Sequence, residues 1–231
     1  MPSPALPPDD ARRARGYRVA NALSYVLNPL ILPPVAFALA QWQLGAGLLE
    51  RVWTFAVSFV FFAAIPVLYV LGMVRRGETE SLEVRGREQR TGPYVVGVFS
   101  CAVGLLVLAL TVKTGLRFIV ALACTFPLNL AGMALINLRW KISIHMASLA
   151  GFCGILLFVA LTAWRGLPPE HEAALTLASV IPLLFLLPLL MWARVRVGAH
   201  TPAQVFGGAV YGLLVPLVEL YVIVYYVLDL A

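Results

Sequence analysis

The chain contains seven apolar runs that are each long enough to cross a lipid bilayer. They lie near residues 19–42, 52–74, 93–112, 116–138, 144–164, 172–192 and 203–228. A hydrocarbon core about 30 Å thick needs about 20 helical residues. Hydrophobic residues make up 61% of the chain and charged residues only 12%, which excludes a water-soluble domain. Because backbone polar groups in lipid need partners within their own segment, the runs predict helices.

Together the runs predict an all-α fold, a polytopic transmembrane helical bundle of about seven spans. Residues 19–231 are expected to form a single transmembrane domain, and the Pro-rich and then basic residues 1–18 a mobile tail. The first run contains Pro29, Pro33 and Pro34. These prolines predict a bent or even re-entrant segment, because proline frees carbonyl groups inside a helix.

Lysine and arginine residues are distributed unevenly between the two ends of the spans. Thirteen lie in the N-terminal tail and in the loops after spans two, four and six, and four lie in the opposite loops. The positive-inside rule therefore predicts a cytoplasmic N-terminus and three cytoplasmic loops in a cell (inner) membrane. If the first run is re-entrant, the N-terminal arginines move to the other face and this count weakens.

The connection between the last two runs carries an arginine and a histidine beside a helix start. Arg194 and His200 place a fixed cation and a titratable nitrogen at one membrane surface. Thr201 is a suitable N-cap, Pro202 suits the first helical position, and Gln204 completes a Thr-x-x-Gln capping box. A helix that begins there directs free backbone N–H groups at this region, which outlines an anion site. The same pattern also fits a capped helix beside a basic surface loop.

The loop between spans two and three is the most polar stretch of the chain. It contains Arg85, Arg87 and Arg90, whose planar guanidinium groups can converge on one phosphate. The mixed charges of this loop are equally typical of a solvated segment, in which ion pairs contribute little.

The start of span five, on the same side of the membrane, carries Lys141, Ser143 and His145. A lone histidine near a membrane interface is more often a packing residue than a catalytic one, but a second histidine facing it favours a site. Small side chains follow along this span, and they predict the close approach of another helix. They are Ala147, Ser148, Ala150, Gly151 and Gly154. This approach would bring the connection after span six near the start of span five.

These residues resemble the motifs of the type 2 phosphatidic acid phosphatase superfamily, membrane and soluble phosphatases that work through a phosphohistidine. The third motif of that family is Ser-Arg, five residues, His, three residues, Asp. Here Ala193 replaces the serine and Gln204 the aspartate. The sequence His-Thr-Pro-Ala-Gln-Val that begins at His200 is closer to the dolichyl-diphosphatase branch.

The first two family motifs are matched in part. Of the second motif, Pro-Ser-Gly-His, the chain retains Ser143 and His145. The first motif is Lys, six residues, Arg-Pro, and Arg90 is the equivalent of its arginine. Glu83 stands at the lysine spacing, and Pro93 comes three residues after the arginine rather than one.

The resemblance implies a metal-independent phosphatase with a six-helix core plus one helix. It implies that His200 attacks phosphorus, and that His145 protonates the leaving group and then activates water. The groups implied for binding the phosphoryl oxygens are Arg194, Arg90, Arg87, Arg85, Ser143 and Lys141. Gln204 stands where the family has an aspartate that orients the nucleophilic histidine, and it can do so only as a neutral acceptor.

Composition argues against metal-dependent alternatives. Membrane prenyltransferases bind magnesium diphosphate through clustered aspartates, and the three aspartates Asp9, Asp10 and Asp229 form no such cluster. The expected partner is a lipid phosphate, with a polyprenyl phosphate or diphosphate favoured by the resemblance, and neither a cofactor nor nucleic acid is expected. The alternative is a non-catalytic lipid-phosphate binder or small transporter on the same scaffold, because Gln204 and the altered first motif depart from the family.

Overall fold

The prediction of an all-α protein is confirmed. The computed structural model describes residues 8–27, 30–84, 86–162 and 169–228, and every regular element in these ranges is helical. The ten α-helices are α1 (Pro8–Val26), α2 (Leu32–Gln43), α3 (Leu48–Phe59), α4 (Ile65–Arg75), α5 (Thr91–Thr111), α6 (Leu116–Asn137), α7 (Ile144–Thr162), α8 (Pro169–Ile181), α9 (Leu187–Arg196) and α10 (Pro202–Val222). Because π-helical turns at Val60–Ala64 and Pro182–Leu186 join α3 to α4 and α8 to α9, each pair forms one continuous helix.

The chain is an integral membrane protein by the length and polarity of its helices. Five helical segments among the described residues are long and apolar enough to cross a membrane, and they correspond to five of the seven apolar runs. Only 17% to 33% of the residues in each of these spans are buried in the protein, so most of their surface is available to lipid. The fifth run, 144–164, appears as the shorter apolar helix Ile144–Ala160.

The first apolar run, 19–42, is divided rather than continuous. Helix α1 ends at Val26 and α2 begins at Leu32, so a break falls within the proline-containing segment that predicted a bend. Asn28 and Pro29 lie outside the described residues. Helix α2 has 12 residues, too few to cross a bilayer core alone. Helix α1 already begins at Pro8, so it also includes part of the predicted tail 1–18.

Helices α7 and α10 pack so closely that the glycines at their contact leave no room for a side chain. A Cβ atom added to Gly212 would overlap the backbone of Ala147, and one added to Gly208 would lie 2.6 Å from the carbonyl oxygen of Ser143. A Cβ atom added to Gly151 would lie 3.2 Å from the carbonyl oxygen of Gly212. Residue numbers rise together along both helices in these contacts, so the two helices run parallel. Their N-termini, and with them His200 and the start of α7, therefore lie at the same end of the bundle.

Candidate functional site

The loop after α4 is bound to the loop after α6. Arg90 is buried, and its guanidinium donates to the carbonyl oxygens of Val84 at 2.8 Å and Ile142 at 3.0 Å. The exposed Arg87 donates to the carbonyl oxygen of Leu138 at 2.7 Å. Arg90 therefore reaches the site that the sequence predicts, whereas Arg87 secures the loop from outside.

The loop after α6 is in turn bound to the turn between α9 and α10. The ammonium group of Lys141 donates to the carbonyl oxygen of Ala199 at 2.8 Å. A Cβ atom on Gly207, in the second turn of α10, would overlap the indole ring of Trp140, so the ring lies directly on the α10 backbone. The three connections that carry the predicted residues thus meet at one end of the bundle. Arg85 lies outside the described residues.

The turn that positions Arg194 and His200 is shaped by Gly198. Helix α9 ends in a Schellman motif, in which Gly198 has φ of +71° and the backbone N–H of Ala199 donates to the carbonyl oxygen of Arg194 at 3.1 Å. Helix α10 then begins at Pro202 with Thr201 as its N-cap. The predicted capping box is confirmed, because Thr201 and Gln204 each accept the backbone N–H of the other.

The capping box also determines which nitrogen of His200 carries the proton. The side-chain oxygen Oε1 of Gln204 accepts the backbone N–H of Thr201 at 3.2 Å, and the same oxygen lies 3.2 Å from Nδ1 of His200. Since an amide oxygen only accepts hydrogen bonds, Nδ1 is the protonated nitrogen. Nε2 therefore carries a lone pair, as a nucleophilic imidazole requires.

His200 is neutral at physiological pH. Burial, together with the positive charges of Arg90, Lys141 and Arg194, lowers the pKa of its imidazole from 6.5 to about 3, against the opposing effect of the hydrogen bond with Gln204. Three neighbouring cations thus help to keep His200 in the neutral form, whose Nε2 lone pair can attack an electrophile.

Arg194 is buried and forms an ion pair with Glu83. One guanidinium nitrogen, Nη1, pairs with Oε1 of the carboxylate, and the other, Nη2, lies 3.3 Å from Oε2. The third nitrogen, Nε, is buried and has no hydrogen-bond partner among the described residues. Glu83 therefore holds the terminal edge of the guanidinium and leaves one donor of Arg194 unused. A signal for this pair is present in the chain, because a buried arginine requires an acid and Glu83 stands among the arginines of its loop.

His145 also has an unused nitrogen. Its ring forms a hydrogen bond with the backbone of Ser24 on α1, and Nε2 is buried without a partner among the described residues. The hydroxyl of Ser143, two residues before His145, is likewise buried and unpartnered among the described residues. Buried polar atoms without partners are rare, and several within one region indicate a site for a missing polar ligand.

These residues line one end of a cavity of about 330 Å³. Arg90, His145, Arg194, His200 and Glu83 border it there, and apolar side chains surround the remainder. Two guanidinium groups face a single carboxylate among the described residues of this lining, so the polar end carries a net positive charge when both histidines are neutral. A positively charged end on an apolar cavity suits an amphipathic anion.

The described residues contain no group of three or more His, Cys, Asp or Glu side chains that could bind a metal ion. The guanidinium groups, the imidazoles and the first backbone N–H groups of α10 are the donors that this end of the cavity offers to an anion.

The function of this protein has to be inferred from the geometry of the site. The polar end of the cavity joins residues from three connections that lie far apart in the sequence, with Glu83 and Arg194 separated by 111 positions. No family model, no curated protein and no solved structure matches the chain.

Proposed function

We propose that this protein is an integral membrane lipid phosphatase, which hydrolyses a polyprenyl phosphate or diphosphate, or a related lipid phosphate, by a metal-independent phosphohistidine mechanism. The observation that carries the proposal is the polar end of the cavity, where Nε2 of His145 and Nε of Arg194 are buried without partners among the described residues. A phosphoryl group supplies an oxygen that accepts from Nε of Arg194, and one that accepts from Nε2 of His145 once that nitrogen is protonated. The apolar remainder of the cavity suits the lipid chain.

In the proposed reaction, Nε2 of His200 attacks phosphorus while the bond from phosphorus to the leaving oxygen breaks. The negative charge of the bound phosphate favours a proton on Nε2 of His145, which passes it to the leaving oxygen. Water then attacks the phosphohistidine, His145 takes its proton, and the phosphorus–nitrogen bond breaks to regenerate His200. Arg90 and Arg194 stabilise the charge on the phosphoryl oxygens throughout.

The polyprenyl class is favoured over phosphatidate by the His-Thr-Pro-Ala-Gln-Val sequence that begins at His200 and resembles the dolichyl-diphosphatase branch of the type 2 phosphatidic acid phosphatase superfamily. Within this proposal, Ser143 and Lys141 lie in the loop after α6, beside the bound phosphate. The ammonium group of Lys141 binds the carbonyl oxygen of Ala199 and so fixes the turn that carries His200.

The proposal is tested by incubating the purified protein with farnesyl diphosphate, farnesyl phosphate and phosphatidate in detergent that contains EDTA. Phosphate release that persists in the chelator supports it. If the wild-type protein binds these lipids but releases no phosphate, the catalytic proposal is wrong.

One specific observation favours a second candidate, a lipid-phosphate binder without turnover. Glu83 already occupies the terminal edge of Arg194, and Gln204 gives His200 a neutral partner rather than a carboxylate. Both features reduce the stabilisation of charge that develops during phosphoryl transfer. Saturable binding of the same lipids without release of phosphate is the result that this candidate predicts.

Replacing Gln204 with glutamate is expected to make phosphate release more sensitive to acid. A carboxylate beside Nδ1 raises the pKa of His200 from its value of about 3, so a larger fraction of the nucleophile is protonated as the pH falls. The wild-type imidazole stays neutral throughout the range from pH 7 to 5. The ratio of the Gln204→Glu rate to the wild-type rate, measured on one substrate, should therefore decrease as the pH is lowered over this range.

Glutamate at position 204 preserves the capping box, because its carboxylate can accept the backbone N–H of Thr201. Because both rates are measured on the same substrate at each pH, the protonation of the substrate affects them equally and cancels in their ratio. A ratio that stays constant from pH 7 to 5 would show that Gln204 does not govern the protonation of His200.

We further propose that the site opens on the cytoplasmic face of the cell (inner) membrane, from the excess of lysine and arginine at this end of the spans. A Gly86→Cys variant tests this, since residue 86 lies in the loop after α4. An impermeant maleimide is expected to label it in inside-out vesicles and not in intact cells. Labelling in intact cells would reverse the orientation.

A further inference from the structure

The cavity extends from its polar end along the helices toward the middle of the membrane. On α7 its lining runs from His145 to Ile155, and on α5 it runs as far as Cys101. The distance along α7 is about 15 Å at 1.5 Å per residue. This is about half of the hydrocarbon thickness of roughly 30 Å, so the cavity ends near the bilayer midplane.

The far end of the cavity is closed by an aromatic floor, which we define as Phe37, Phe62 and Phe126. Phe62 and Phe126 line the cavity and meet edge to face with ring centroids 5.1 Å apart. Phe37 packs against both rings at 5.1 and 5.5 Å and is fully buried. Phe126 on α6 and Phe62 on the continuous helix α3–α4 are among the lining residues farthest from the polar loops.

A π-helical turn fixes the position of this floor. Phe62 lies in the turn Val60–Ala64, where one extra residue per turn changes the direction of the side chains that follow. The hydroxyl of Ser100 donates to the carbonyl oxygen of Phe61 at 2.6 Å, and Gly104 leaves room for the rings of Phe61 and Phe62. The floor is thus supported by the neighbouring helix and is rigid.

The wall between the two ends offers little for polar recognition. The amide of Asn129, which lines the cavity, already donates to Glu219 on α10 and to the carbonyl oxygen of Thr125 at 2.7 Å. The other side chains along this part include Val67, Leu130 and Phe152. An occupant of this part of the cavity is therefore a hydrocarbon chain.

We propose that the aromatic floor sets the length of the single lipid chain that the site encloses. This inference rests on the proposed function, in which the phosphate of that lipid binds at the polar end. A chain of up to about 15 Å lies wholly within the cavity, and each added methylene strengthens binding by about fourfold until the chain reaches the floor. Further methylenes find no enclosed surface and add nothing.

The test is a series of n-alkyl monophosphates, from hexyl to octadecyl, titrated calorimetrically into the purified protein in nonionic detergent with EDTA. For the wild type, the affinity is expected to rise with chain length and then reach a plateau. In Phe126→Ala the floor is opened, so the plateau should begin at longer chains and the affinity for those chains should rise by about fourfold per newly enclosed methylene. Phe59→Ala is the matched control, because Phe59 is exposed on the outer surface of the same continuous helix as Phe62.

A filling variant covers the case in which Phe126→Ala does not fold. Cys101 lies at the floor, and Cys101→Met adds volume there, so the plateau should begin at shorter chains. If the wild type binds alkyl phosphates with no plateau, or neither folded variant shifts it, the floor does not measure the chain and the proposed phosphatase stands unaffected. If no alkyl phosphate binds at any length, the proposed function itself is wrong.

Discussion

Replacing His200 with alanine is expected to reduce phosphate release from farnesyl diphosphate by on the order of 10⁴-fold or more, because it removes the nucleophile. His145→Ala should cost less, about 10²- to 10⁴-fold, because a general acid and base is lost while the nucleophile remains. Release of phosphate in EDTA gives both values. Protein quenched during turnover should contain acid-labile phosphate in the wild type and none in His200→Ala.

His171→Ala provides the control for this result, because His171 is the third histidine of the chain and lies on α8, away from the three connections. Its rate should equal that of the wild type. Melting temperatures in detergent establish whether each variant is folded. Equal phosphate release from folded His200→Ala and the wild type would rule out the phosphohistidine mechanism, as would acid-labile phosphate that persists in the variant.

The meeting of the three connections followed from simple rules of membrane proteins. Counting spans placed the loops that carry Arg90, His145 and His200 on one face, and the divided first segment leaves the later parity unchanged. The small residues of α7 predicted that another helix would approach, and a Cβ atom added to Gly151 or Gly154 would lie only 3.2 or 3.1 Å from a carbonyl oxygen of α10. Small side chains are a reliable signal because close packing in lipid needs them.

Loop geometry could not be predicted in the same way. The described residues between Gly77 and Arg87 form no regular helix, so no periodicity relates Glu83 to the arginine that it pairs with. The spacing of the three loop arginines suggested convergence on one phosphate, yet Arg87 binds the carbonyl oxygen of Leu138 instead. In a loop, such choices depend on which carbonyl groups lack partners, and that is known only once the helices are packed.

The cavity was also beyond the reach of sequence patterns. A π-helical turn has the same apolar composition as the α-helix around it, and Val60–Ala64 gives no sign of its extra residue. That turn nevertheless places Phe62 at the closed end of the cavity. Hydropathy therefore predicts where the chain crosses the membrane, whereas the shape of the space between the spans depends on local departures from α-helical geometry.

Removing the charge of Arg194 is expected to weaken phosphate binding, whereas removing the charge of its partner Glu83 is expected to strengthen it. Arg194→Ala removes a donor and the positive charge that balances the carboxylate of Glu83, so inorganic phosphate should bind much more weakly. Glu83→Gln removes a negative charge that competes with the ligand, so phosphate should bind about tenfold more tightly. Calorimetric titration of phosphate into each purified variant measures both effects.

Stability separates this electrostatic account from simple misfolding. Arg194→Ala should cost up to about 3–5 kcal/mol, because it breaks an ion pair with a carboxylate whose side chain is only 18% exposed. Arg76→Ala is the matched control: Arg76 pairs with Glu78 in the same loop, but both side chains are largely exposed, so stability should not change. In the double variant Glu83→Gln/Arg194→Ala, much of the lost stability should return while phosphate binding stays weak. If phosphate binding recovers together with stability, Arg194 supports the loop and is not a ligand of the anion.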